Sequence, residues 1–433
     1  MRRPGRSGIA GAQGGANECQ GSSPVAARGA TGRGARSIRL PAVSRRSAPA
    51  RHAAFAVSAP GLAPLAAREL VGLGFTVGGV ESAGVAFETD ARGLCLANVH
   101  LRTASRVLVR VDEFRAATFH ELEKRTARID WASWIAPGRG VSLRVTCRKS
   151  RLYHSGAVAE RVAGVLAPLA GRVVHGTGGA EGEDADEGGE AQLVVVRLLN
   201  DRCTISLDSS GALLHQRGYR LATGRAPLRE TLGAALLLAS GWAPGTPLVD
   251  PFCGAGTLAI EGAMLARRIA PGVGRPFALE RWPGVAPATV SRIREEARSR
   301  ELADAGAPLL ASDRDAGAVE AARSNAERAG VLGDISFAVR AVSHLAPPDG
   351  SAAPGAIVTN PPYGVRVGEG ELRNLYARTG AVLRERFPGW RLAIVSADRR
   401  LTGQLGIPLA DAVRTSNGGI PVTFAVGDVP GEG

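Results

Sequence analysis

Apolar positions recur along this chain with two different periods, and their alternation divides it into segments. HAAFAV (52–57) reads as a strand. It leads into LAPLAARELVGLGF, where Leu62, Leu65, Ala66, Leu70 and Leu73 recur at helical spacing. VGGVESAGVAFET reads as short strands, and LCLANVHLRTASRVLVRV (94–111) as a helix. With a closing strand, these elements predict a small α+β module over 51–115. A second module is expected over 116–218. It has an alternating strand, VSLRVTCRKS (141–150), a helix, AVAERVAGVLAPLAGRV (157–173), and the strands QLVVVRLLN and CTISLDSSG. From 219 to 433 the pattern changes. A helix over RETLGAALLLASGW is followed by strands PLVDPF, APLLASD, ISFAV, AIVTNPPYG and WRLAIVSAD, most of them separated by helical stretches. That alternation predicts an α/β fold with a doubly wound, mostly parallel sheet.

The 433 residues carry a formal net charge of +13, which points to a polyanionic partner. Nine arginines and one acid, Glu18, fall within residues 1–50, so +8 of that charge lies there. Lys124 and Lys149 are the only lysines, a bias that reads as GC-rich coding and weakens the inference from arginine alone. Residues 1–50 are rich in Gly, Ser, Ala and Arg and are expected to be a disordered basic arm. GGAEGEDADEGGE (178–190), with six acids and no base, is expected to be a solvated acidic loop. The five cysteines form no CxxC pair, which fits a reducing, cytoplasmic compartment and no metal site. No apolar run is long enough for a membrane span, so no membrane partner is expected.

Candidate chemistry gathers in two places. LVDPFCGAGTLAIEGA (248–263) sets Gly254 and Gly256 between a strand and a helix, where a ligand can approach the backbone. A dinucleotide is disfavoured, because Asp250 would repel a pyrophosphate. Moreover, the next acid at a strand end, Asp313, lies 57 residues after Gly256, where a dinucleotide site wants one at roughly 20. S-adenosylmethionine (SAM) fits better. Its ammonium suits Asp250 and its ribose hydroxyls suit Asp313, while Asp315 is placed to cap the following helix.

The second place is IVTNPPYGVR (357–366), an apolar strand that stops on two prolines. Prolines cannot continue a helix or a central strand, and Asn360 before them is held extended. The Asn360 side-chain oxygen and the Pro361 carbonyl form a rigid pair of acceptors, stiffened by Pro362. Such a pair can draw an exocyclic amine of a nucleobase toward a geometry in which its lone pair attacks. Tyr363 offers a stacking face worth roughly 1–3 kcal/mol per base, once the base has left its own stack.

These stretches, with LDSSGALLHQRGYR (207–220), APLRETLGAALLLASGWAPGTPLVDPFCGAGTLAIEGAMLA (226–266) and SDRDAGAVEAARSNAERAG (312–330), resemble the THUMP-containing class I rRNA methyltransferases. That bacterial group makes N2-methylguanine in large-subunit rRNA, and the resemblance runs over about residues 53–425. It implies a ferredoxin-like module at 51–115, an RNA-gripping THUMP module at 116–218 and a Rossmann-like SAM domain at 219–433. It also implies Asp250, Phe252, Gly254, Gly256 and Asp313 as cofactor-binding residues, and Asn360, Pro361, Pro362 and Tyr363 as the base-binding motif. The sequence departs from the family at Ala341, where relatives often carry an acid for the adenine amine; a backbone contact or Ser343 is the expected substitute. Many relatives carry a second methyltransferase domain, so one of their two activities is expected here.

Arg144, Arg148, Lys149 and Arg151, followed by Tyr153 and His154, form a basic strip suited to RNA phosphates. His215, Arg217 and Arg220 fall at a module junction and are candidates for holding it together. Trp131 and Trp134 read as core. The expected activity is methylation of a guanine N2 in RNA, most simply 23S rRNA, without a metal. The alternatives are tRNA guanine-N2 methylation, DNA adenine-N6 methylation and a non-catalytic ribosome assembly factor.

Overall fold

The computed structural model describes residues 51–175, 190–221, 228–348, 353–363 and 369–431. The proposed basic arm and all of the acidic stretch except Glu190 lie outside the described residues.

Two sheets organise these residues. The first has eight strands: β1 (His52–Ser58), β2 (Val77–Glu81), β3 (Gly84–Thr89), β4 (Ala104–Arg115), β5 (Val141–Arg148), β6 (Val173–His175), β7 (Gln192–Leu199) and β8 (Arg202–Asp208). Their order is β2-β3-β1-β4-β8-β7-β5-β6. Strand β4 pairs antiparallel with β1 on one side and β8 on the other, so the two front segments share one continuous sheet. One face is covered by α1 (Ala63–Gly72), α2 (Ala91–His100), α3 (Phe119–Thr126) and α4 (Ser155–Leu166), packed on Val107, Val109, Val194 and Val196.

The second sheet holds β9 (Leu248–Asp250), β10 (Leu309–Asp313), β11 (Ile335–Val339), β12 (Ala356–Thr359), β13 (Arg391–Ser396), β14 (Ala410–Asn417) and β15 (Ile420–Asp428). Its order is β11-β10-β9-β12-β13-β15-β14, parallel except around β15. Helices α5 (Glu230–Ser240), α6 (Thr257–Ala266) and α8 (Ala316–Arg328) cover one face. Helices α9 (Glu369–Arg386) and α10 (Arg399–Gly403) cover the other. This is the doubly wound α/β fold expected from the alternation of periods.

The sequence reading assigned no element to α3, α10, β14 or β15, and three further differences bear on how the two sheets are covered. The helix read over 94–111 stops at His100, and Ala104 opens a strand. From there Val107 and Val109 point into the core while Leu108 and Arg110 point out, a period of two. The helix read over 157–173 stops at Leu166, because Pro168 cannot extend it, and Val173 begins β6. The third is a helix the reading left unassigned, α7 (Pro287–Arg298). Its buried Val290, Ile293 and Ala297 join the core of the first sheet, not the second. The segment leading to it docks on the front half as well. Gly272 donates its N–H to the Val99 carbonyl at 2.9 Å, and a Cβ there would lie 2.6 Å from the Asn98 oxygen. Trp282 donates its indole N–H to Gln192 at 2.7 Å and stacks edge-on against Trp134. Trp131 is buried in the same core, as expected.

Candidate functional site

The order of the second sheet reverses between β9 and β12, and the carboxyl ends of these neighbouring parallel strands open a crevice there. Asp250 ends β9 and is buried. Its Oδ1 accepts from the Thr359 hydroxyl at 2.7 Å and the Phe252 N–H at 3.2 Å. Burial pushes the Asp250 carboxyl up to about 7, against the pull of these two hydrogen bonds. Phe252 itself is half-buried.

The glycines after it adopt left-handed backbone, with φ +51° at Gly254 and φ +87° at Gly256. A Cβ at Gly254 would meet nothing within 4 Å, so space is open above it. A Cβ at Gly256 would press on Ala322 of α8 at 3.0 Å. Gly256 caps α6, whose first-turn N–H groups face the loop. From outside, Asn325 donates to the Ala255 carbonyl at 3.0 Å, and Arg220 bonds the Thr257 hydroxyl. Asp313 ends β10 and accepts from the N–H groups of Gly254 and Asp315, each at 3.0 Å. Asp315 caps α8 by accepting from Gly317 and Ala318.

These groups fit SAM. A buried acid, an open glycine turn and a second carboxylate with lone pairs to spare match its ammonium and its ribose diol. Beyond Asp313, Val339 is 59% exposed at the end of β11, an apolar surface of the kind an adenine covers. Ala341 is exposed, and the Ser343 hydroxyl lies 3.4 Å from His344 Nδ1.

A cationic ligand favours the ionised form of Asp250. With the ammonium on Asp250, SAM affinity is expected to rise with pH through about 7, until the ligand's own α-ammonium begins to lose its proton at about 8. Calorimetric titrations across neutral pH test this: the slope should vanish in Asp250→Asn, and a flat wild-type profile refutes it. For the ligand-free fold the sign is opposite. The folded carboxyl holds a proton that the unfolded chain releases near the ordinary value of 3.8. The stability this group contributes is full below that value and is lost as pH rises through about 7.

On the other side of the crevice Asn360 follows β12. Its Oδ1 is buried and finds no hydrogen-bond partner among the described residues. Pro361 is buried and Pro362 exposed, and the Pro362 carbonyl accepts from the Tyr376 hydroxyl of α9 at 3.3 Å. Tyr363 is half-buried against the core of the second sheet, and its hydroxyl accepts from Asn417 Nδ2 at 3.0 Å. Thr359, Asn325, Tyr376 and Asn417 were absent from the sequence reading. Thr359 alone carried a local signal, a polar residue directly after the apolar Ile357 and Val358.

Arg217 and Arg220 are structural at the junction. Arg217 is buried against Glu261 of α6 at 3.4 Å and donates to the Arg102 carbonyl at 2.6 Å. Tyr219 donates to Glu261 at 3.2 Å, and Arg102 lies 3.9 Å from its other oxygen. Arg220 pairs with Glu230 at 3.2 Å. The linker between the two sheets thus grips the helix that the glycine loop opens.

Residues 217–423 match the model described as RMKL-like, methyltransferase domain, and residues 53–108 that of the RlmL ferredoxin-like domain. A Synechocystis protein, slr0064, named as a candidate RNA methyltransferase, is 34% identical over 372 residues, covering 86% of this chain and 95% of its own. The chain belongs to the RMKL-like RNA methyltransferases. Another relative is the ribosomal RNA large subunit methyltransferase K/L of Methylococcus capsulatus. It is 36% identical over 393 residues, covering 87% of this chain, which spans 51% of that longer protein. The crystal structure of SMU.472, described as a candidate methyltransferase complexed with S-adenosylhomocysteine, superposes with a TM-score of 0.74. It is 28% identical and covers 88% of this chain and 99% of its own. As an RMKL-like enzyme the chain is a SAM-dependent methyltransferase, and SAM supplies the electrophilic methyl group.

In this RMKL-like enzyme Arg144 and Arg148 lie on the face of β5 turned away from Val141 and Leu143, which are in the helix-covered core. Cross-strand pairing puts Arg110, Arg115, Arg197 and Arg202 on the same face, with Glu113 bonded to Arg202. Lys149 turns with φ +47° beyond the strand. Arg151 donates its N–H to Asp201 at 2.7 Å and carries its guanidinium 4.0 Å from the same carboxylate. Tyr153 is 80% exposed, whereas His154 caps α4. Among the described residues no group of side chains could hold a metal ion, and no helix is long and apolar enough to cross a membrane.

Proposed function

We propose that the enzyme methylates the exocyclic N2 amine of a guanine in RNA, with 23S rRNA as that RNA. The observation that carries this reading is the Asn360 carbonyl oxygen, a buried acceptor at the end of β12 that has no partner among the described residues. A buried unmet acceptor costs about 1–3 kcal/mol, and an amine N–H of the target base removes that cost. The Pro361 carbonyl is the second acceptor, and Tyr363 is the face on which the extruded base stacks. Asp250, Phe252, Gly254, Gly256 and Asp313 hold the cofactor. The amine nitrogen attacks the methyl carbon in line. An N–C bond forms as the C–S bond breaks, and the surplus proton leaves to water.

The face of the first sheet that no described helix covers supports an RNA partner. Its arginines, together with Lys149 and Arg151 at one end, present positive charge to phosphates. The K/L relative of M. capsulatus supports rRNA as the class. The test is methyl transfer from labelled SAM to unmethylated rRNA, tRNA and DNA, followed by nucleoside analysis. N2-methylguanine in rRNA is expected. Label in tRNA or on DNA adenine overturns the substrate, and no label with SAM bound overturns the activity.

A further inference from the structure

We infer that Asn417 is a positioning residue that fixes the stacking ring of Tyr363, an inference that rests on the base-binding reading of the motif. The prolines stiffen the backbone only as far as Pro362. Beyond it the Tyr363 ring has two rotatable bonds of its own. Its inner side packs on the core of the second sheet, and its hydroxyl is held by Asn417 Nδ2 at 3.0 Å.

The amide is itself well placed. Asn417 is 6% exposed and ends β14. Gly418 and Gly419 follow with φ +57° and +81°, the pair of left-handed residues that a tight two-residue hairpin turn requires. Asn417 faces Ile420 across that turn, so the register of β14 and β15 sets the height of the amide. Strand β15 pairs with β13, and β13 with β12, the strand that ends at Asn360. The stacking ring and the amine acceptor are thereby referenced to one sheet. The link is also chemically spare: Asn417 donates, so the phenol hydrogen stays available.

Three variants test the inference: Asn417→Ala, Tyr363→Phe and the double replacement. Each is expected to bind SAM as wild type and to lose kcat roughly tenfold, about the effect of one hydrogen bond. The double variant should be no slower than either single one, because both remove the same link. Asn417→Asp should recover most of the rate, since the phenol can then donate to the carboxylate. Full activity in Asn417→Ala, additive losses, or loss of SAM binding overturns the inference. A second readout does not need activity. The chain has four tyrosines, and in a protein labelled with ¹³C-tyrosine, Asn417→Ala should displace the resonance that Tyr363→Phe deletes. Burial raises the Tyr363 phenol and the Asn417 hydrogen bond opposes that rise, so the same resonance should titrate higher in Asn417→Ala. An unmoved resonance overturns the inference even if the RNA substrate has been misassigned. A wild-type enzyme silent on every RNA, with the resonance displaced, overturns only the function.

Discussion

Asn360→Ala is expected to leave SAM binding intact and to slow methyl transfer about 10²–10³-fold, the size seen when one preorganised polar group aimed at a transition state is removed. The amine of guanine is a poor nucleophile because its lone pair is shared with the ring. Fixed acceptors on its hydrogens bind more strongly as the lone pair localises, so their loss falls on kcat more than on KM. Alanine also removes a buried oxygen that the described residues leave unpartnered. The variant should therefore melt at the wild-type temperature or slightly above it. Single-turnover transfer with labelled SAM, beside a thermal melt, reads both. Near-normal turnover would remove Asn360 from the chemistry, and a collapsed melt would make it structural.

The second large effect concerns stability. Glu261 is fully buried and faces Arg217 at 3.4 Å, Arg102 at 3.9 Å and the Tyr219 hydroxyl at 3.2 Å. A buried ion pair adds little over an apolar replacement, but breaking it leaves an uncompensated charge in the core, at about 3–5 kcal/mol. Two guanidinium groups would be stranded in Glu261→Ala, so a loss of that size is expected in urea unfolding. Glu261→Gln keeps an acceptor for Tyr219 and should lose less. Because Glu261 lies on the helix opened by the glycine loop, SAM affinity should weaken as well. A loss below about 1 kcal/mol, the scale of an exposed pair, would show that the junction is solvated and adaptable.

What the sequence disclosed follows the range of each interaction. The glycine turn after β9 and the strand ends at Asp313 and Asn360 were legible because each is set by neighbouring residues. The strongest family signature was legible only as a signature. In LDSSG, Asp208 is buried and takes hydrogen bonds from Arg106, Ser210 and Gly211, while Ser209 and Ser210 bond Asn98. Arg106 and Asn98 lie about a hundred residues before the residues they hold, and no spacing rule reaches that far. The same holds for Asn417, 54 residues from the hydroxyl it holds. The helix read through 94–111 failed because a good helical start at Leu94 was extended across a change of period. The stripe Val290, Ile293, Ala297 has helical spacing that the reading left unassigned, and nothing local said which sheet it would cover.

That stripe bears on how the protein is made. A ribosome completes all eight front strands by Asp208, yet Trp282 and α7 must still cover part of their core. The nascent front half therefore emerges with an apolar surface unclosed until some ninety further residues have been synthesised, at roughly 5–20 residues per second. A fragment cut at the linker would inherit the same wound on both pieces, and each should be prone to aggregate.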